Sequence, residues 1–337
     1  MSTERPRGGL PDARAPEGTE RPRGGWPGAR APGSTERPRG GLPDARAPGS
    51  TERPRGGLPD ARAPGNRERP RGGSPDARAP ESTEPSPGGA GAGRPAELAP
   101  GVLFLFTGRA GGVSSPPYDT LNLGGAVGDD PAAVAENRRR AARACGLGTG
   151  RLAWMHQVHG VTVRYAGTGS QPVPDSPAPE ADATFTDVPG LGLGVLTADC
   201  APVLLADPGA RIVGAAHAGR EGMAAGVVTE LLSAMSAAGA DPRRVHAVIG
   251  PHICGRCYEV PEGMRARVAA AVPESASVTR KGTPGIDVGA GVEAQLARAG
   301  VTAVSHDPRC TAETASLYSY RRDGRTGRLA GLVWLAP

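Results

Sequence analysis

No stretch of this chain approaches the roughly 18 consecutive apolar residues of a membrane-spanning helix, so no membrane partner is expected. Five Cys, an odd number and widely scattered, exclude a complete disulfide framework and fit a reducing compartment. The first residues after Met1, Ser-Thr-Glu-Arg-Pro, lack a basic region followed by an apolar one. No secretory signal is therefore expected, and the cytoplasm is the expected location. A Walker loop and a dinucleotide fingerprint are also missing, since GLGLG at 190–194 precedes no helical pattern.

What is present falls into two parts. Residues 2–81 are five copies of a 16-residue unit whose clean version is STERPRGGLPDARAPG. The unit is dominated by Pro, Gly and Arg and has one Leu, replaced by Trp26 in one copy and Ser74 in another. It has no apolar face to stack on its neighbour, so the repeats are expected to be disordered rather than a solenoid. They carry the whole net charge of +5, which leaves residues 82–337 close to neutral. The basic balance is thus no argument for nucleic-acid binding by the folded part. Residues 82–99 continue as a linker, giving a tail over 1–99 and one domain over 100–337.

From Pro100 the composition turns to Val, Leu and Ala, enough for one sizeable core. Short apolar runs predict strands at 102–106, 152–154, 161–165, 182–186, 191–197, 202–206, 212–216, 245–249, 301–304, 317–320 and 329–335. Helices are predicted at 131–145, opened by Asp130 and Pro131 and closed by Gly146, and at 223–238, 262–271 and 288–299. Interspersed strands and helices imply an α/β (α+β) domain, a mixed β-sheet flanked by helices.

Three apolar runs end in chemistry. LGLGVLT stops at Ala198-Asp199-Cys200, IVGAA at His217-Ala218-Gly219, and LAWM leads into His156-Gln157-Val158-His159-Gly160. His159, Cys200 and His217 are ligand types that suit zinc, and three protein ligands leave a fourth position open for catalysis. The same residues also permit Cys200 as a nucleophile with His159 or His217 as base, or plain hydrogen-bonded core positions. His156, three residues from His159, points elsewhere if the segment is extended. Cys254-Gly255-Arg256-Cys257 has the spacing of a zinc half-site or redox pair, but no second pair stands near it in sequence.

The stretches FTGRAGGVSSPPYDTLNLG, ENRRR, HQVHG, LTADCAPVLLAD, AAHAGREG, GPHICGRCYEV and CTAETASLYSYRRDGRTGRLAGLVWL carry a resemblance across residues 100–337. In order and spacing they resemble the family known as multicopper polyphenol oxidase or laccase-domain proteins, peptidoglycan editing factor and purine nucleoside phosphorylase. The resemblance implies metal ligation by His159, Cys200 and His217. It also implies phosphorolysis of adenosine, inosine, guanosine and methylthioadenosine, with deamination of adenosine. Two stretches depart from the family pattern: Ala110 stands where His is frequent, and Arg220-Glu221 replace a Trp-Arg pair. The six His (156, 159, 217, 246, 252 and 306) are too few for a multicopper cluster, so zinc is preferred over copper.

Phosphate is expected to meet Arg138, Arg321 or Arg322, with Asn122 and Gln157 as further substrate contacts and Tyr118 or Tyr258 as stacking faces. The expected partner is a small-molecule nucleoside rather than nucleic acid. Two other functions stay open: a hydrolase that removes a misplaced Ser from a nucleotide-linked muramyl peptide, and a scaffold acting through its basic tail.

Overall fold

Ala201–Asp207 and Ile212–Ala218 are buried along their whole length, which is why they read as continuous apolar runs instead of alternating ones. Both faces of each strand are covered. Ala201, Val203 and Leu205 point into one cluster and Leu204 and Ala206 into another. The computed structural model describes residues 93–148, 150–167 and 178–337. The repeat tail, most of the linker and the centre of the Gly167–Glu180 loop lie outside the described residues.

In chain order the elements are β1 (Ala96–Ala99), β2 (Val102–Phe106), α1 (Pro131–Ala144), β3 (Leu152–Trp154), β4 (Val163–Tyr165) and β5 (Ala183–Thr186). Next come β6 (Gly192–Thr197), β7 (Ala201–Asp207), β8 (Ile212–Ala218), α2 (Arg220–Ala225), α3 (Val227–Ala237) and β9 (His246–Ile249). The remainder are α4 (Glu262–Ala271), β10 (Ala276–Val278), β11 (Pro284–Ile286), α5 (Val288–Arg298), β12 (Ala303–His306), α6 (Tyr320–Asp323) and β13 (Leu329–Leu335). The strands divide between two mixed sheets, ordered β1-β2-β13-β6-β3 and β12-β9-β7-β8-β5-β4, with β10-β11 as a separate ribbon.

The two large sheets pack face to face. Leu193 and Val195 of β6 and Val333 and Leu335 of β13 meet Leu204 and Ala206 of β7 and Val213 and Ala215 of β8. The alternate residues of β13, Ala330, Leu332 and Trp334, face the other way and pack with Ala141 and Ala142 of α1. On the far side of the six-stranded sheet, α2 to α5 cover it with Met223, Leu231, Met235, Val268, Val292 and Leu296. The order of layers is helix, sheet, sheet, helices: an α+β domain of mixed sheets flanked by helices.

Helix α1 starts as its sequence predicts, with the Asp130 carboxylate accepting from the Ala132 N–H and Pro131 at the first position. Three details differ from expectation. Ala96–Ala99 is not linker but a strand paired antiparallel with β2, so the folded unit reaches back beyond residue 100. The helix expected over 223–238 begins at Arg220 and breaks at Gly226, whose φ of 91° only glycine adopts easily. Leu317–Tyr320 is no strand; Leu317 and Tyr318 are buried in an irregular segment against Leu329, and Ser319 caps α6.

Leu204 is fully buried between the sheets, so Leu204→Ala is expected to lower stability by about 2–5 kcal/mol. Denaturant unfolding of the two proteins measures this as a lower midpoint with an unchanged slope.

Candidate metal centre and its cleft

The crossover from β6 to β7 carries the chain from one sheet to the other, and Cys200 sits on it, directly before Ala201. β7 and β8 are antiparallel with Pro202 opposite His217, which brings the end of β8 beside Cys200. β5 borders β8 on its other side, with Ala183 opposite Ala216. Asp182, one residue earlier, therefore lies next to His217. The loop between β3 and β4 supplies His159 at a positive φ of 62°, and Asp199 has φ 92°. Two non-glycine residues in this sparsely populated region flank one site, where strain of this kind tends to collect.

The three predicted ligands converge. His159, Cys200 and His217 each offer a donor atom, all within 4.8 Å of one another. Cys200 Sγ lies 3.8 Å from His159 Nε2, and the two imidazoles meet edge to face with centroids 4.7 Å apart. Gly219 leaves the room: a Cβ there would lie 2.8 Å from His159 Cδ2 and 3.1 Å from Cys200 Sγ. One thiolate and two imidazoles around a clear space fit a divalent metal ion.

Asp182 organises this set, and sequence reasoning passed over it. Its carboxylate is fully buried and accepts from the backbone N–H groups of Val158, His159 and Gly160 at 3.2, 2.9 and 2.7 Å. It also accepts from His217 Nδ1 at 2.9 Å, so that Nε2 of that ring is the free ligand atom. Burial alone would raise the Asp182 pKa, but the His217 bond and the backbone donors hold the carboxyl below its usual range. A lone Asp at a strand start looks like a turn residue, and nothing in its spacing marked it out.

Burial also opposes ionisation of Cys200 and His217, yet their mutual attraction prevails. Hydrogen bonding from His159 and His217 brings the Cys200 thiol down to about 6. Bonds to Asp182 and Cys200 bring His217 up to about 9. The metal-free centre is thus a thiolate and imidazolium pair between those values.

The centre opens into a cleft of about 1020 Å³ lined by Arg138, Arg220, Arg321 and Arg328. Arg138 is half-buried, donates through Nε to Leu123 O at 3.0 Å and lies over the Trp154 ring at 4.7 Å. Arg328, which sequence reasoning did not select, is also half-buried and is anchored to the carbonyls of Thr326 and Gly327. Burial lowers the pKa of both guanidiniums, and among the described residues neither has a carboxylate partner. They flank one backbone stretch: positions for a Cβ on Gly124 and Gly125 would meet Arg328 Cγ at 2.6 Å and Arg138 Nη2 at 3.9 Å. Arg321 stacks on Tyr258 at 5.0 Å and donates to Glu259 O.

Other expected contacts sit differently. Asn122 is fully buried below the cleft, with its amide bonded to Gly124, Asp129 and the Arg328 N–H. Gln157 lines the cleft, but both ends of its amide are engaged by the Leu196 backbone. Arg322 is held by the carbonyls of Thr311, Thr314 and Leu317, and Tyr118 donates its buried hydroxyl to Val127 O. His156 lines the cleft without joining the donor triad.

In metal-stripped protein, alkylation of Cys200 is expected to rise with pH about a midpoint near 6, because the lowered pKa makes thiolate available above that value. His159→Ala, which removes the leading stabilising hydrogen bond, moves the midpoint upward. Peptide mass spectrometry after timed iodoacetamide treatment reads both.

A family model described as multi-copper polyphenol oxidoreductase laccase matches residues 103–336. The chain is 57% identical over 244 residues to a purine nucleoside phosphorylase of Streptomyces griseus, covering 72% of this chain and 98% of that protein. It is 56% identical over 235 residues to another of Streptomyces coelicolor, covering 70% and 96%. Among solved structures, a Neisseria meningitidis protein aligns with a TM-score of 0.64 at 36% identity, covering 72% of this chain and 98% of that one. YlmD from Geobacillus stearothermophilus aligns with a TM-score of 0.67 at 30% identity, covering 72% and 94%. With a match running through nearly the whole described domain and relatives more than half identical, the chain belongs to the laccase-like multi-copper polyphenol oxidoreductase family.

Proposed function

We propose that this protein is a zinc-dependent purine nucleoside phosphorylase. It converts adenosine, inosine, guanosine and methylthioadenosine, with phosphate, to free base and sugar 1-phosphate, and deaminates adenosine as a second activity. The observation that carries the reading is the pairing of a His159-Cys200-His217 donor set with two half-buried, carboxylate-free guanidiniums in one cleft. The naming of relatives 57% and 56% identical supports it.

Zinc suits two imidazoles and a thiolate with a position left open, and when bound it supplies Lewis-acid polarisation of the substrate. A further copper cluster would need more imidazoles than this chain brings together, since His246, His252 and His306 take no part in either metal-capable group among the described residues.

The chain's own groups account for the rest. Arg138 and Arg328 are cations that burial penalises, and a phosphate dianion between them and the Gly124-Gly125 backbone relieves that penalty. Their anchored Nε and Nη1 atoms leave other N–H groups for the anion, and hold the nucleophile against the sugar carbon. Arg328 lies within Coulombic reach of Cys200 and Asp199, so the anion seat adjoins the donor triad. The Tyr258 and Arg321 wall offers a flat face for the purine. The Thr197 hydroxyl, buried in the lining without a protein partner, is a candidate donor to the substrate. Asp182 binds His217 through Nδ1 and so leaves Nε2 as the nitrogen aimed at the centre.

Metal-loaded protein is expected to release adenine from adenosine only when phosphate is present, and to form inosine without it. Cys200→Ala abolishes both. Arg138→Ala raises the phosphate KM about 10–100-fold while leaving deamination in place, the loss of one charge-assisted contact of roughly 1.5–3 kcal/mol. Chromatography of bases and nucleosides follows all three, with a seryl-muramyl nucleotide tested alongside. Hydrolysis of that compound with no phosphorolysis of any purine nucleoside would sink the assignment in favour of the editing hydrolase.

A further inference from the structure

The Cys254-Gly255-Arg256-Cys257 motif lacks a partner in the linear sequence, and the cleft chemistry does not use it. The fold supplies what the sequence withheld. β9 and β12 are parallel neighbours, with His246 beside Ala303 and Ile249 beside His306. Their following loops leave from the same end of the sheet, one carrying Cys254 and Cys257 and the other Cys310 and Glu313. The four donor atoms lie within 4.8 Å of one another.

The two loops are built alike. In the first, the N–H groups of Cys257 and Tyr258 both donate to Cys254 O, at 2.9 and 3.0 Å. In the second, the N–H groups of Glu313 and Thr314 both donate to Cys310 O, at 3.1 and 2.9 Å. Each is a tight turn that presents two donors, three residues apart, towards the other. The Cys254 N–H donates to Cys310 Sγ at 3.4 Å, which brings the two loops into direct contact. Cys257 Sγ stands 3.2 Å from Glu313 Oε1.

We propose that Cys254, Cys257, Cys310 and Glu313 form a second metal site, closed and structural, that takes a thiophilic divalent cation, zinc by its donor chemistry. The Cys257 S–H donates to Glu313 and Cys310 accepts from the Cys254 N–H, weak sulfur bonds for which a tetrahedral cation would substitute four ligand bonds. Zinc–sulfur bonds of about 2.3 Å put tetrahedral sulfurs about 3.8 Å apart, so the donors need to close by no more than about 1 Å. On binding, the three thiols each release a proton to solvent and the carboxylate coordinates as it stands. Of the four ligand charges the ion offsets two and Arg280, which pairs with Glu313 from outside and orients it, offsets one more.

The site ties the β9 loop to the β12 loop and through them steadies the cleft. Ile253 N–H donates to Asp199 O at 3.0 Å, and Thr311 Oγ1 donates to Asp199 Oδ1 at 2.6 Å. Asp199 adjoins Cys200, while Ile253 and Tyr258 line the cleft. The second ion thus supports the first centre mechanically and takes no part in its chemistry, so the site stands whichever reaction the cleft performs.

The test is metal content by mass spectrometry of the full-length protein, purified under reducing conditions. Two ions per chain are expected in the wild type, one in Cys200→Ala, one in Cys257→Ser and none in the double variant. Cobalt reconstitution of Cys200→Ala should give an intense thiolate-to-metal charge-transfer band with a tetrahedral visible spectrum, both lost in the Cys200→Ala, Cys257→Ser double variant. If Cys257→Ser does not fold, Glu313→Gln at the exposed ligand serves instead, weakening cobalt binding about tenfold or more while keeping the thiolate band. The proposal is overturned if folded Cys200→Ala binds no metal and its Cys254, Cys257 and Cys310 titrate as free thiols, or if Cys254 and Cys257 are recovered as a disulfide.

Discussion

One fully buried carboxylate gathers the candidate metal centre from three separate parts of the chain. Asp182 accepts three backbone N–H groups from the 158–160 loop and one from the His217 ring, which leaves it no unmet acceptor demand. An unpartnered carboxylate at that depth would cost several kcal/mol, and removing a partner from such a group typically costs about 3–5 kcal/mol. The loop has no regular structure of its own, so this anchoring is what holds His159 at a positive φ facing Cys200. The same bond fixes which nitrogen of His217 faces the centre.

The sheets make that anchoring possible. Cys200 stands on the passage from one sheet to the other, His217 on β8 and Asp182 directly before the adjacent β5, so their separation is set by backbone hydrogen bonding. Side chains supported in this way are held more accurately than side chains on free loops. Across the cleft the cations are held by different means: Arg138 by a carbonyl and an indole face, Arg328 by carbonyls alone. Placing positive groups there without acidic partners costs folding stability.

Much of the fold was legible where burial is complete. β2, β6, β7, β8 and β13 stand where their apolar runs are, because strands covered on both faces need Val, Leu and Ala at nearly every position. β1, β10 and β11 escaped notice because AELA, ASV and PGI are short and partly exposed, and contain Glu, Ser or Pro. Leu317 and Tyr318 misled in the opposite sense, since irregular backbone can bury apolar side chains as well as a strand does. The amides of Asn122 and Gln157 bond backbone groups, a role that residue type and spacing do not reveal.

By itself the sequence determined the residue types of the metal centre and the short apolar runs that end beside them. It also determined that the repeats of 2–81 have no apolar face with which to build a core. Only the tertiary structure decided that Asp182 binds the three donors together, that Arg138 and Arg328 line one cleft, and that Cys310 and Glu313 stand beside Cys254 and Cys257. The reason is physical: periodicity reports what a segment buries, whereas strand pairing across tens of residues decides which buried or half-buried polar groups meet.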